Sequence, residues 1–171
     1  PPWASPGNAR AFCQELAATL PEPHGAANVL CCALHPDTDQ FTLVASGGAD
    51  MTVRVSDWSI ATTGAAATGA AGAGETLRCP APPLLLAWEP LAVGAQGGCR
   101  LAVGCMDGSL IIAALETGLG EGGQGVFRLI QVGPTLKAHA KYLTGLRWAG
   151  GSQLQPPPLL ATSSADKTAK L

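Results

Sequence analysis

One short phrase recurs three times in this chain: an apolar strand, a tight turn closed by an aspartate, and a second apolar strand. It reads Ala45-Ser46-Gly47-Gly48-Ala49-Asp50-Met51-Thr52-Val53-Arg54-Val55, then Ala102-Val103-Gly104-Cys105-Met106-Asp107-Gly108-Ser109-Leu110-Ile111-Ile112, then Ala161-Thr162-Ser163-Ser164-Ala165-Asp166-Lys167-Thr168-Ala169-Lys170-Leu171. A second landmark runs ahead of each copy, where an apolar strand meets a short break: Ala33-Leu34-His35-Pro36, Ala87-Trp88-Glu89-Pro90 and Arg147-Trp148-Ala149-Gly150. Self-similarity at a long period constrains the fold more than composition does. A unit that cannot bury its own apolar face must stack on its copies.

The third unit is the most complete, with Leu136-Lys137-Ala138-His139, a strand from Tyr142 to Trp148, and the aspartate phrase from Leu159 onward. These residues resemble the WD40-repeat family of β-propellers. In that family a histidine ahead of the innermost strand, a serine or threonine on the next strand, the turn aspartate and a tryptophan on the third strand form a buried hydrogen-bonded set. The resemblance places His139, Thr162 and Asp166 in three of those positions, and His24, Ser46 and Asp50 in the first unit. Asp107 holds the aspartate position of the second. The aspartates at 50, 107 and 166 are spaced by 57 and 59 positions, against roughly 40 to 45 residues for a WD40 blade. Inserts rich in glycine, alanine and proline account for the excess.

The chain also departs from the pattern. Ser56 and Ala113 stand at the tryptophan position, with Trp58 two positions past Ser56 and so on the same face of a strand. The second unit has Leu77-Arg78-Cys79-Pro80 where the histidine belongs, so its polar set is expected to be absent and its blade held by apolar packing.

The expected fold is therefore all-β: a WD40-like β-propeller, incomplete, of about three four-stranded blades, with a short N-terminal helix. Residues 1–23 form the helical extension, with Ser5 or Asn8 as cap, Phe12, Leu16 and Leu20 on one face, and Pro21 and Pro23 at its end. The blades divide as 24–75, 76–135 and a partial 136–171. A closed propeller has about four to eight blades. Three read as a fragment, and missing blades, a partner chain or oligomerisation would have to cover the bare strand edges. In the first blade the fourth strand is expected near Ser59–Thr63, followed by a flexible alanine and glycine tract, Gly64–Gly74. Glu116–Gly125 is expected to be a loop, and Pro156-Pro157-Pro158 interrupts the third blade.

With 47% hydrophobic residues, 13% charged and a formal net charge of −2, the chain lacks the basic face that grips phosphate. It has no apolar run of membrane-spanning length and no signal-peptide pattern. Nucleic-acid and membrane partners are thus not expected. Cys13, Cys31, Cys32, Cys79, Cys99 and Cys105 show no CxxC spacing or disulfide framework and read as small core residues. With no Asn-x-Ser/Thr sequon present, a cytoplasmic or nuclear location is expected.

Chemistry has few footholds. Gly118, Gly120 and Gly123 satisfy GxGxxG, but the strand-like Val126-Phe127-Arg128-Leu129-Ile130 follows, whereas a phosphate cradle needs a helix N-terminus. His35, in a His-Pro turn, reads as exposed. Asp37 and Asp39 lack the glycine and glutamate of a calcium loop. No cofactor, metal or catalytic set is expected.

The function the resemblance implies is a non-catalytic scaffold for protein–protein interaction within a larger complex. Carried over from the family, the contact face comprises Ala49, Met106 and Ala165 before each aspartate, and Asn28, Lys141 and Tyr142 where innermost strands open. Asn28, Met106, Lys141 and Tyr142 are the candidate partner-binding residues. Two alternatives stand beside this reading. One is a propeller subunit of a TOR-kinase-type assembly, which the Ala138-His139-Ala140-Lys141-Tyr142 run resembles. The other is a propeller enzyme with polar groups converging on its channel.

Overall fold

Alternating apolar residues bounded by Asx turns and Gly or Pro breaks favour short antiparallel strands, and the computed structural model has twelve among the residues it describes. It describes residues 23–37, 42–57, 76–90, 99–119, 125–149 and 158–171. The first sheet runs β1 (Val29–Leu34), β2 (Leu43–Gly48), β3 (Thr52–Asp57), β4 (Leu77–Arg78) in that order. The second runs β5 (Pro83–Trp88), β6 (Arg100–Cys105), β7 (Ser109–Leu119), β8 (Gly125–Gln131), and β9 (Leu136–Lys137) also pairs with β7. The third is β10 (Leu143–Ala149), β11 (Leu159–Ser164), β12 (Ala169–Lys170). Neighbouring strands are antiparallel throughout, in the manner of propeller blades.

The repeat seen in the sequence is a repeat of register. Ala33 faces Ala45, Ala87 faces Ala102 and Arg147 faces Ala161. Each innermost strand slips register just past its first residue, at Val29/Cys31, Pro83/Leu85 and Leu143/Gly145. Such a bulge bends a strand and sharpens its twist.

The strand dyad sorts the second sheet into two apolar faces. Leu101, Val103, Ile111 and Ala113 join Leu43, Ala45, Val53 and Val55 of the first sheet in one core cluster. Ala87, Ala102 and Leu110 join Leu143 and Leu146 of the third sheet in another. A small residue lets the sheets approach. A methyl group at Gly47 would lie 2.8 Å from Pro83 Cγ, and one at Gly104 3.1 Å from Leu143 Cδ2. Tryptophan then ties sheet to sheet: Trp88 Nε1 donates to the Ala33 carbonyl (3.1 Å) and Trp148 Nε1 to the Ala87 carbonyl (2.9 Å).

Three details differ from the sequence reading. Leu77–Arg78 and Leu136–Lys137 each pair with the preceding sheet, so sheets and the 75/76 and 135/136 repeat boundaries are offset by one outer strand. Residues Glu116–Leu119, expected in a loop, extend β7 and pair with Gly125–Arg128. His35 is buried, not exposed, at 3% accessibility. The Trp88 ring covers it edge-on at 5.1 Å, and its Nδ1 accepts the Asp37 N–H. Burial holds its pKa below the usual histidine value. The expected helix, except Pro23 at its end, Trp58, the expected strand at 59–63, the tract at 64–74 and Pro156-Pro157 lie outside the described residues.

Candidate functional site

Each turn aspartate does local work first. The Asp50 carboxylate accepts the Thr52 N–H (3.2 Å) and hydroxyl (2.7 Å), Asp107 those of Ser109 (3.0 and 2.7 Å), and Asp166 those of Thr168 (2.9 and 2.6 Å). These bonds span two residues, so Asp-x-Ser/Thr is itself a turn code. The hydroxyls of Thr52, Ser109 and Thr168 were not singled out from the sequence, although the triad Asp50-Met51-Thr52, Asp107-Gly108-Ser109, Asp166-Lys167-Thr168 carries the signal.

Long-range partners come next. His24 and His139 are buried, at 5% and 2% exposure. His24 Nδ1 lies 3.0 Å from Asp50 Oδ1 and 3.1 Å from Thr52 Oγ1, while Nε2 lies 3.0 Å from Ser46 Oγ. His139 repeats this with Asp166 (3.0 Å), Thr168 (3.0 Å) and Thr162 (2.9 Å). A carboxylate can only accept, so the neutral ring carries its proton on Nδ1 and takes the Ser46 or Thr162 hydroxyl proton on Nε2. The Ala140 N–H adds a further donor to Asp166 (3.0 Å).

The electrostatics follow from this geometry. Burial raises the Asp50 pKa, but the Thr52 and His24 bonds outweigh it and leave the carboxyl below its usual range. Asp107 behaves likewise, with Ser109 and Lys137 opposing burial. Asp166 is also held below its usual range, first by the Thr168 hydroxyl and then by two backbone N–H groups and His139.

The second sheet keeps part of its polar set and rebuilds the rest. Asp107 retains Ser109, and Lys137 Nζ donates to the Asp107 carbonyl and sits 3.4 Å from its Oδ2. Val103 stands where the other sheets have Ser46 and Thr162, and packs in the apolar cluster. Gly108 in this turn has φ +87°, and a methyl group there would lie 2.3 Å from the His139 carbonyl oxygen. Only glycine meets both demands.

The turns and the starts of the innermost strands share one rim. Ala49 N–H donates to the Asn28 carbonyl (2.9 Å), Met106 N–H to Pro82 (2.9 Å) and Ala165 N–H to Tyr142 (3.1 Å). Asn28 and Lys141 are exposed, as are Met106 (53%) and Tyr142 (48%). Met51, which the sequence did not single out, is 46% exposed on the same rim. Its positive φ of 60° turns it out of the sheet.

Three repeated sheets, each with an Asp turn at one inner corner and two with a buried His–Asp–hydroxyl set, define a β-propeller repeat protein. The family model for the WD domain, G-beta repeat, matches residues 14–57 and 131–171, and the chain belongs to the WD40-repeat family. No curated protein and no solved structure matches it. The stretch between the two matches contains β5, β6, β7 and all but the last residue of β8, most of the sheet without a corner histidine.

Proposed function

We propose that this chain is a non-catalytic scaffold that holds a protein partner against the rim around Tyr142, Lys141, Met106 and Asn28. WD40 repeats are in general protein-interaction modules, and this reading adds the surface. The observation that carries it is a fixed backbone beneath free side chains. The Tyr142 carbonyl accepts the Ala165 N–H and lies 2.9 Å from the Ser164 hydroxyl. The Met106 N–H is likewise tied to Pro82. Both side chains stay about half exposed. An aromatic on a rigid backbone buries much area at little entropic cost, which is what an interface anchor needs. Stiff scaffolds with recognition at strand ends are a general route to binding.

The histidines support the non-catalytic reading. Both ring nitrogens of His24 and of His139 are engaged by structural partners, which leaves neither placed to exchange a proton with a substrate. A cytoplasmic or nuclear location, inferred from the scattered cysteines, is part of the same proposal.

The test is affinity capture from cells with the protein and with a Tyr142→Ala/Lys141→Glu variant of matched stability. Loss of a discrete set of captured proteins supports the rim. An unchanged set argues against it. Turnover of any substrate that disappears with His24→Ala or His139→Ala, in a folded variant, would overturn the non-catalytic reading.

A further inference from the structure

The second sheet departs from its neighbours at its inner corner, and what fills that corner is sulfur. In the third sheet the His139 N–H donates to the Gly108 carbonyl of the sheet before it (3.0 Å), and its imidazole turns into its own corner. In the second sheet the Cys79 N–H makes the corresponding bond, to the Met51 carbonyl (2.9 Å). Cys79 thus takes the backbone place of the histidine and offers a thiol where the ring would be.

The opposing position changes with it. Gly48, Cys105 and Ser164 share one register point, each facing the first residue of an innermost strand: Val29, Pro83 and Leu143. A methyl group on Gly48 would lie 2.3 Å from His24 Nδ1, so a side chain at this point runs straight into the corner group. With no imidazole in the second sheet, a cysteine fits there. Cys105 is fully buried, and the half-buried Cys79 packs against the cluster that contains it. A hydrogen bond between the two thiols raises the Cys79 pKa and lowers that of Cys105. Cys105 also accepts the Ala81 N–H. Cys31 lies close by, but its S–H points to the Pro83 carbonyl (3.4 Å). Among the described residues no group of three or more His, Cys, Asp or Glu could hold a metal ion.

We propose that Cys79 and Cys105 form an oxidisable dithiol that closes to a disulfide, covalently joining the strap after β4 to the end of β6. The oxidant class is a hydroperoxide, with hydrogen peroxide the simplest. One of the two sulfurs attacks as thiolate at one peroxide oxygen, the O–O bond breaks, and hydroxide leaves and takes up the thiol proton as water. The other sulfur then attacks the sulfenic sulfur so formed, the S–O bond breaks, and the second hydroxide leaves as water with the second thiol proton. Two thiols and one peroxide become one disulfide and two waters, the sulfurs losing the two electrons that the peroxide gains. Because thiolate is the nucleophile, closure speeds up as pH rises.

The test treats the intact protein with hydrogen peroxide at mildly alkaline pH, alkylates the remaining thiols and maps the unreduced digest. Tryptic cleavage leaves Cys79 and Cys99 on one peptide, so fragmentation must assign the linked sulfur. The expected result is a Cys79–Cys105 link, a Tm raised by several degrees, and reversal of both by dithiothreitol. Cys79→Ser and Cys105→Ser should each abolish the link while keeping the far-ultraviolet spectrum, since Ser164 already occupies the Cys105 position in the third sheet. A link through Cys31 or Cys99, overoxidation of Cys79 alone, or unlinked thiols in folded wild-type protein would overturn the proposal.

Discussion

The indole N–H of Trp148 reaches 2.9 Å across to the carbonyl of Ala87 in the preceding sheet, and the Arg100 guanidinium lies over the same ring, 5.3 Å from its centroid. Arg100 is itself held by Glu89 through two bonds, 2.5 and 2.7 Å long. Trp88 repeats the indole bond to Ala33, with His35 against its ring. The sheets are thus joined by one oriented side chain each as well as by apolar packing.

Trp148→Phe keeps a ring and removes the donor to the Ala87 carbonyl, which keeps its strand partner. Urea unfolding should show a loss of about 1 kcal/mol. Arg100→Ala removes only partly exposed charge contacts and should cost less than about 1 kcal/mol. If the Arg100 variant is the weaker of the two, the indole bond is not what joins these sheets.

Replacing His139 by alanine strips Thr162, Thr168 and Asp166 of a shared partner. The buried Thr162 hydroxyl is left unsatisfied, and a loss of about 1–3 kcal/mol is expected. His24→Ala should act alike through Ser46. Hydrogen exchange should locate the loosened amides at the corner of the mutated sheet, leaving the second sheet protected.

Acid should unfold the protein through its turns. The carboxyls of Asp50, Asp107 and Asp166 titrate below their usual range when folded, so the unfolded chain binds more protons once pH drops below about 4. Their contribution is complete above that value and lost as pH falls through the folded pKa values. Asp166→Asn should flatten the acid limb of a stability–pH curve and leave its neutral plateau as the new, lower baseline. A limb of unchanged slope would assign acid sensitivity elsewhere.

Gly108→Ala meets a left-handed φ and the His139 carbonyl at once, and a loss of about 3 kcal/mol is expected from thermal unfolding. Gly118, inside β7 with open space around its Cα, makes the control. Alanine there should add about 0.5 kcal/mol, because glycine weakens a strand interior.

Much of this architecture could be read in advance because its determinants are local. Asp107 binds Ser109 across two residues whatever surrounds them, so each turn, and the strands it joins, is written in a few adjacent letters. The His24–Asp50 and His139–Asp166 separations of 26 and 27 residues could be read as well, since both ends repeat. His35 was misjudged for the opposite reason: a His-Pro break looks like surface, and only Trp88, far along the chain, buries it.

The repeated turn, the alternation that gives every sheet its apolar faces, and the pairing of the strands on either side of each turn are written in the order of the residues. All of these arise from bonds between near neighbours and from the two-residue period of an extended chain. The tertiary structure alone decided that Trp88 and Trp148 reach back to the sheet before, that Gly108 has room for no side chain, that Lys137 lies against Asp107, and that Cys79 meets Cys105. Those outcomes depend on how closely separately formed sheets approach, a distance set by the packing of whole faces and encoded in no single stretch of residues.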